Sequence, residues 1–351
     1  MTTIKEKLAK LENWQAPEDW INIKSVDAHT GGEPLRIITS GLPELKGKTI
    51  LEKRSYMKKN FDHLRTSLMW EPRGHADQYG CIITEPTNST SDIGVIFLHN
   101  EGYSTMCGHA IIAVTKVAVE TGMVEAVSPL TKLLIEAPAG LITSYAKVKD
   151  GKVESVYFHN VPSFVYSSGK IIEVPGLGNV KYDVAYGGAF YAFVKAADID
   201  VKLDASAYTG LIEKGMAIKR AVMASEKIIH PFEEDLSFLY GTIITGDPYS
   251  KENDSRNVCV FAEGEVDRSP TGTGVSARMA LHHYKGELET GESMKIESIL
   301  GTVFKGTVKE ETTYGKYKAV IPEVEGTAFI TGKNEFVIDT EDILKDGFIL
   351  R

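Results

Sequence analysis

Cysteine is scarce in this chain. Only Cys81, Cys107 and Cys259 occur among its 351 residues. An odd number of widely separated cysteines cannot form a closed set of disulfides, and their spacing is not that of metal ligands. The sequence therefore predicts neither a disulfide framework nor a metal site. It favours a reducing compartment, which we expect to be the cytoplasm.

Long hydrophobic runs are also absent. No apolar stretch approaches the about 18 residues that a membrane-spanning helix needs. The N-terminal sequence MTTIKEKLAKLENWQ is polar where a secretory signal would be apolar. Within it, Ile4, Leu8 and Leu11 fall on one helical face, which predicts a short surface helix. We expect no membrane association.

Positive charge is in deficit. The chain has 39 Lys and Arg against 48 Asp and Glu, a formal net charge of -9 at pH 7. A surface of that sign repels phosphate backbones and anionic lipids, so nucleic acid is not an expected partner. With 42% hydrophobic and 25% charged residues the composition is that of a globular protein, and the length suggests about two domains.

Short strands dominate the sequence pattern. Runs such as GVIFLHN, SFLYGTIIT and NVCVFAE are rich in β-branched and aromatic residues and are bounded by turn-forming residues. Four other segments carry apolar residues at three- and four-residue spacing, which predicts helices at 47–60, 108–121, 205–227 and 272–285. The predicted fold class is α+β.

The chain also contains an internal repeat. DAHTGG at 27–32 is matched by DVAYGG at 183–188, and CGHAIIAVTKVAVETG at 107–122 is matched by TGTGVSARMALHHYKG at 271–286. Because both pairs occur in the same order, the sequence predicts two lobes of similar construction, each a set of strands around one helix. We place these lobes at residues 1–182 and 183–351, with a C-terminal strand that can cross back to the first lobe.

Cys107 stands at the start of the first repeated helix. This helix is apolar almost all round, which is typical of a helix enclosed by other structure, so its N-terminus is expected to open inside the lobe. Unpaired N–H groups at a helix start bind carboxylates and lower the pKa of a cysteine placed there. The alternative is a cysteine that packs as a small buried hydrophobe. The adjacent Gly108 and His109 favour a thiolate base.

Thr271 stands at the start of the second repeated helix. Taken alone, it is explained as an N-cap, and Asp267 as a favourable charge near a helix start. A phosphate-binding loop is not expected, because no Lys follows the glycines. If the two helix starts face each other, a thiol and a hydroxyl flank a ligand whose carboxylate meets backbone amides. That arrangement suits removal of a proton α to a carboxylate, since amides stabilise the charge that develops on the carboxyl oxygens.

Five stretches resemble the proline racemase family, which includes 4-hydroxyproline epimerases and trans-3-hydroxy-L-proline dehydratases. They are DAHTGGEPLRI at 27–37, EPRGHAD at 71–77, MCGHA at 106–110, DVAYGGAFYAF at 183–193 and DRSPTGTGVSAR at 267–278. The resemblance implies a diaminopimelate epimerase-like fold, with two pseudo-symmetric lobes that each wrap strands around a central helix. It also implies a cofactor-independent enzyme, usually a homodimer, that acts on a small imino acid.

The second helix start departs from the racemase and epimerase pattern. Those enzymes have a cysteine at both places, whereas here Cys107 is paired with Thr271. A threonine hydroxyl is too weak an acid to act as the mirror image of a thiolate. The pair therefore resembles the dehydratase branch, which converts trans-3-hydroxy-L-proline to Δ1-pyrroline-2-carboxylate. The resemblance implies Cys107 as the base at the α-carbon, with Thr271 on the opposite face of the substrate.

The same resemblance supplies the substrate-binding residues. Gly108, Gly272 and Thr273 are expected to bind the carboxylate, and His109 and Asp267 to contact the ring nitrogen. His109 has an alternative interpretation as a helix-end histidine bonded only to protein. Two other hypotheses for the whole chain stay open at this point. One is an epimerase or racemase with an unusual second residue, and the other is a binding protein that has lost turnover.

The stretch around residue 74 carries a further family marker. Arg73, Gly74 and His75 belong to it. We expect a turn there and assign these residues no chemical role.

Overall fold

The computed structural model describes residues 3–350 of the chain. The α-helices of this part are α1 (Ile4–Glu12), α2 (Ile50–Met69), α3 (Gly108–Glu120), α4 (Tyr208–Ser225) and α5 (Gly272–Tyr284). Strands make up most of the remainder, as the sequence pattern predicts.

The strands, in chain order, form one continuous hydrogen-bonded system. They are β1 (Ile21–Thr30), β2 (Glu33–Ser40), β3 (Gly80–Thr84), β4 (Ile93–Leu98), β5 (Tyr103–Ser104), β6 (Leu130–Ala137), β7 (Gly140–Lys149), β8 (Lys152–His159), β9 (Ser163–Val174), β10 (Gly178–Tyr186), β11 (Phe190–Lys195), β12 (Leu239–Gly246), β13 (Ser255–Phe261), β14 (Glu265–Val266), β15 (Ser293–Glu297), β16 (Val303–Tyr314), β17 (Tyr317–Gly326) and β18 (Ala328–Ile338).

Strand pairing repeats itself along the chain. In the first half β1 pairs with β2, β2 runs parallel to β3, β3 pairs with β4, and β4 runs parallel to β6. In the second half β10, β11, β12, β13 and β15 repeat this series with the same parallel and antiparallel steps. The fold is therefore two pseudo-symmetric lobes, each with strands wrapped around a central helix, as expected from the repeat.

The last two strands join the lobes. β17 pairs with β16 of the second lobe and with β9 and β8 of the first. The chain then turns, and β18 pairs with β1 over ten positions. The lobe boundary that we place between residues 182 and 183 stays a prediction, and β10 spans it.

The helix predictions are close for three of the four segments. α3 and α5 end one residue before their predicted ends, and α4 is shorter by a few residues at each end. The helix predicted at 47–60 has the wrong C-terminal end, because α2 continues through a kink at Phe61 to Met69. Beyond the kink, polar residues such as Arg65 and Ser67 are buried, so the apolar spacing that marks a helix is lost there.

Burial of the two central helices explains their unusual composition. Every residue of α3 is buried except Lys116 and Glu120, and the first ten residues of α5 are all buried. Fully burying a Val or Ile side chain contributes about 1.5–3 kcal/mol, so an all-apolar helix is favoured only where strands surround it. Both helix N-termini consequently lie inside the molecule. By contrast, Ile4, Leu8 and Leu11 of α1 are exposed, on the short surface helix predicted from the sequence.

Candidate active site

The N-termini of α3 and α5 meet at the junction between the lobes. A Cβ atom built on Gly108 would lie 2.6 Å from the Cα of Gly272, and one built on Gly272 would lie 2.6 Å from the Cα of Gly108. Real Cβ atoms do not approach other atoms so closely, so only glycine at both positions lets the helix starts touch. The geometry that the repeat suggested, two helix starts facing each other, is present.

This contact yields a direct prediction. Gly272→Ala should push the helices apart, destabilise the protein by about 1–3 kcal/mol and abolish most activity, because overpacking here displaces both helix starts. Gly210→Ala is the matched control, since a Cβ on this α4 residue meets no atom within 4 Å. Alanine there favours the helix by up to about 1 kcal/mol. Urea denaturation and turnover should be measured together, and a Gly272→Ala protein with normal stability and activity would contradict the tight contact.

A small cavity lies between the helix starts. Its walls are formed by Tyr79, Met106, Cys107, Gly108, His109, Tyr191, Tyr240, Phe261, Asp267, Thr271, Gly272 and Thr273. All seven residues that the sequence analysis singled out for the site are among them. The cavity volume is about 10 Å³, which is roughly the space one water molecule needs. A five-membered ring enters only if the walls move apart.

Cys107 is buried in this cavity and is the N-cap residue of α3. Its Sγ lies 3.0 Å from Nδ1 of His109. Burial raises the pKa of the Cys107 thiol well above its ordinary value, and the N–H of Ala110 at the helix start lowers it by less. The helix start alone predicts a lowered pKa for this cysteine. In the closed cavity that expectation is wrong, because loss of hydration outweighs the helix N–H groups.

His109 is the hydrogen-bonding neighbour of that thiol. Burial lowers the pKa of His109 to about 3, and its side chain also bonds the backbone of Pro34. A neutral imidazole that donates one N–H to a carbonyl oxygen has its other nitrogen available as an acceptor. Nδ1 of His109 is therefore placed to accept a hydrogen bond from the Cys107 thiol and to orient it, a role beyond both the ring-nitrogen contact and the purely structural one considered from the sequence.

Thr271 has strained backbone and a buried hydroxyl. It takes φ 67° and ψ 93°, and its side chain makes no capping hydrogen bond, so the N-cap explanation is wrong. A β-branched residue at positive φ is costly and is retained where the surrounding structure demands it. Its Oγ1 is buried with no hydrogen bond of normal geometry, although it lowers the pKa of the neighbouring Asp267 and Cys259.

Two buried carboxyl groups stand behind the Thr271 side of the cavity. Asp267 accepts a hydrogen bond from the N–H of Ser269 at 2.7 Å, and burial raises its pKa. Glu33 of β2 accepts from the N–H of Arg268 at 2.7 Å, and burial together with the charge of Asp267 raises its pKa strongly. A cationic group that enters the cavity would relieve this crowding of negative charge.

Five cavity residues were missed by the sequence analysis. They are Tyr79, Met106, Tyr191, Tyr240 and Phe261. Aromatic and methionine residues in strand-like runs are typical of a core, so spacing alone offered no signal for them. Tyr191 has a specific task here, because its hydroxyl lies 2.6 Å from Oγ1 of Thr273 and holds the first turn of α5.

The marker around residue 74 lies outside the cavity. Gly74 closes a turn by donating to the carbonyl oxygen of Trp70 at 2.7 Å. Arg73 accepts from Arg36 at its carbonyl oxygen and donates to the carbonyl oxygen of Lys345. Nδ1 of His75 accepts from the N–H of Asp77. These contacts fit the expected turn.

The sequence matches the family model for proline racemase over residues 25–349. The chain belongs to the proline racemase family. It is 49% identical to the trans-3-hydroxy-L-proline dehydratase of Colwellia psychrerythraea, over 99% of each chain. It is 44% identical to the proline racemase of Clostridioides difficile, over 94% of this chain and 98% of that one.

A solved structure of the family has the same architecture. A hydroxyproline epimerase from Agrobacterium vitis, with bound trans-4-OH-L-proline, superposes with a TM-score of 0.90 at 29% identity and covers 95% of this chain and 96% of that one. The diaminopimelate epimerase-like fold expected from the sequence is thereby confirmed.

Three further findings concern the described residues, 3–350. All three cysteines are free thiols. No group of three or more His, Cys, Asp or Glu side chains is arranged to hold a metal ion. No helix there has the length and hydropathy needed to cross a bilayer.

Proposed function

We propose that this chain is a hydro-lyase that converts trans-3-hydroxy-L-proline to Δ1-pyrroline-2-carboxylate and water. The observation that carries the proposal is the unlike pair at the facing helix starts, Cys107 on one and Thr271 on the other. The sequence identity to a dehydratase over almost the full chain supports the same reaction.

The carboxylate of the substrate is bound by the two helix starts. Gly108, Gly272 and Thr273 line the cavity and lie in the first turns of their helices, where backbone N–H groups have no partner within the helix. They stabilise the negative charge that moves onto the carboxyl oxygens when the α-hydrogen leaves as a proton. The ring nitrogen, a secondary ammonium, lies toward Asp267 and His109, and its charge offsets that of the buried carboxyl groups.

Proton removal falls to Cys107. The bound ammonium and the helix N–H groups favour the thiolate, which forms by loss of the thiol proton to water. In the trans isomer the α-hydrogen and the 3-hydroxyl share one ring face. The thiolate takes the α-proton, the C–H electron pair forms the C2–C3 double bond, and the C3–O bond breaks. The thiol then gives its proton to the departing hydroxide, which leaves as water, and the enamine tautomerises to the cyclic imine.

Thr271 contacts the opposite face and orients the ring without exchanging a proton. Its hydroxyl is a far weaker acid than a thiol and is not ionised near neutral pH. A two-base racemase needs a group on this face that accepts and returns a proton. This requirement favours dehydration over the epimerase or racemase alternative.

A product assay tests the proposal. We expect trans-3-hydroxy-L-proline to yield the cyclic imine, and both isomers of proline and of 4-hydroxyproline to be recovered with their α-carbon configuration unchanged. Chiral chromatography and a colorimetric imine assay measure the two outcomes. Inversion of 4-hydroxyproline or proline without imine formation would establish the alternative, and binding without any reaction would indicate a protein that has lost turnover.

Assembly, location and lobe limits are also proposals. Family resemblance supports a homodimer, and three free thiols in one chain support a reducing, cytoplasmic location. The repeat of strand pairings supports division into lobes near residues 1–182 and 183–351. Light scattering of the purified protein tests the dimer.

A further inference from the structure

A second and much larger cavity lies beside the active site. Its volume is about 500 Å³, within the range of sites that hold small molecules. One wall comes from α2 and from residues 99–103 of the first lobe, and the other from α4 and residues 235–240. We refer to this space as the side cavity. It is lined by both lobes and therefore lies at the junction where they separate.

One ring borders both the side cavity and the active site. Tyr240 lines both spaces, and no other residue does. Its ring packs against Phe261 at 5.2 Å and against His99 at 5.8 Å between ring centres. The remaining walls of the active-site cavity are at least as deeply buried as Tyr240. Tyr240 is therefore a wall that the active-site cavity shares with a space of substrate size.

The charges of the side cavity match an amino-acid zwitterion. Arg54, Lys58 and Lys219 supply cations, and Glu101 and Asp235 supply carboxylates. These groups form ion pairs across the side cavity. The side-chain nitrogen and oxygen atoms are 3.4 Å apart in Arg54–Asp235 and 3.9 Å apart in Lys219–Glu101. A ligand with one carboxylate and one ammonium finds a partner for each charge within such a space.

Both ion pairs join the two lobes. Arg54 and Glu101 belong to the first lobe, and their partners Asp235 and Lys219 to the second. At these distances the pairs are weak, and partly exposed pairs of this kind contribute about 0–1 kcal/mol. Separation of the lobes would break them and widen the side cavity. The active-site cavity, which is too small for the ring while closed, would open toward the same space.

We propose that the side cavity is the antechamber through which the imino-acid zwitterion reaches the active site and the product leaves. Tyr240 is the partition that turns aside during each passage. The proposal rests on the proposed function, because it takes trans-3-hydroxy-L-proline as the ligand that passes.

Filling the antechamber tests the route. Met223 of α4 lines the side cavity and is half exposed, so Met223→Trp adds bulk there without disturbing the core. Met123→Trp is the matched control, because Met123 is equally exposed and lines neither cavity. Both changes are made in a Cys107→Ser background, in which bound trans-3-hydroxy-L-proline is not consumed, and binding is followed by stopped-flow fluorescence.

The expected result is a kinetic signature. Met223→Trp should lower the association and dissociation rate constants by about tenfold each and leave Kd within about twofold, because an obstacle on a route slows both directions equally. Met123→Trp should leave both rate constants unchanged. A folded Met223→Trp protein with unaltered rate constants would overturn the antechamber.

A charge variant provides a second readout. Lys58→Glu should slow association by at least about threefold, because it adds a carboxylate to the wall that receives the substrate carboxylate. Lys59→Glu, on the next residue of α2 and outside the side cavity, should not. Equal effects of the two changes would count against the proposal.

The outcomes for the two proposals can be told apart. A wild-type protein that fails to dehydrate trans-3-hydroxy-L-proline overturns the proposed function, and the antechamber with it. An active wild type with unaffected Met223→Trp and Lys58→Glu rates overturns the antechamber alone.

Discussion

Replacing Cys107 by serine is expected to lower dehydration of trans-3-hydroxy-L-proline by at least about 1,000-fold. An alcohol at the start of α3 is almost never ionised near neutral pH, so the α-proton loses its acceptor, and general-base catalysis is commonly worth about 100- to 10,000-fold. Binding should persist, because the helix N–H groups that hold the carboxylate remain. Steady-state imine formation and calorimetric binding of the substrate check the two halves of this result.

The same exchange at Cys81 is the control. Cys81 is a buried thiol of β3 that does not line the active-site cavity. Cys81→Ser can reduce stability, yet each folded molecule should keep its turnover. A Cys107→Ser enzyme that retained more than a tenth of wild-type activity would remove Cys107 from the role of base.

The raised thiol pKa also sets a pH dependence. The active form is the deprotonated one, so raising the pKa of Cys107 lowers the active fraction at neutral pH. The value of kcat/KM for the wild type should therefore rise between pH 7 and 9, by up to about tenfold per pH unit below the thiol pKa. A flat profile over this range would mean that the resting thiol is already ionised.

The second large effect is expected at Thr271, where cysteine should introduce a new reaction. Thr271→Cys places a thiol on the face opposite Cys107, so the α-carbon of the ring has an acid and a base on its two sides. We expect solvent deuterium to enter the α-position of L-proline at least about tenfold faster than in the wild type, with formation of D-proline. Proton NMR in D₂O and chiral chromatography measure exchange and inversion.

Thr271→Ser is the control that distinguishes the effect of the new thiol in Thr271→Cys from the effect of losing the threonine methyl group. Serine keeps the hydroxyl and removes the methyl group, so it should dehydrate trans-3-hydroxy-L-proline within about tenfold of the wild type and show no exchange on proline. If folded Thr271→Cys shows neither exchange nor inversion, the residue at the second helix start does not decide between dehydration and racemisation.

Much of the fold could be predicted because short segments of the sequence carry the information for it. The apolar sequence of α3 requires a surrounding shell of strands, and the matched segments at 107–122 and 271–286 require a second such unit. The extent of α2 could not be predicted in the same way. Its second half buries Arg65, whose guanidinium bonds the carbonyl oxygens of His99 and Asn100, and those partners come from a distant strand end.

The residues of the site also fall into those that could be predicted from the sequence and those that could not. Cys107 could be selected from its place at the start of an apolar helix, and the resemblance to the family supplied His109, Asp267 and Thr271. The aromatic wall could not be selected. Tyr79, Tyr191 and Tyr240 look like core residues until three separate strand regions bring their rings around one cavity.

The sequence by itself determined the kind of residue at each helix start and the glycines beside them, because residue identity fixes acidity and the room a backbone needs. Only the tertiary structure decided what those residues experience. It buries Cys107 away from water, so the pKa of the thiol is raised and not lowered. It also holds Thr271 at positive φ, where the side chain makes no capping hydrogen bond. It also sets Tyr240 between the active site and a space large enough for the substrate. These properties depend on hydration and on contacts between distant segments, which local sequence does not encode.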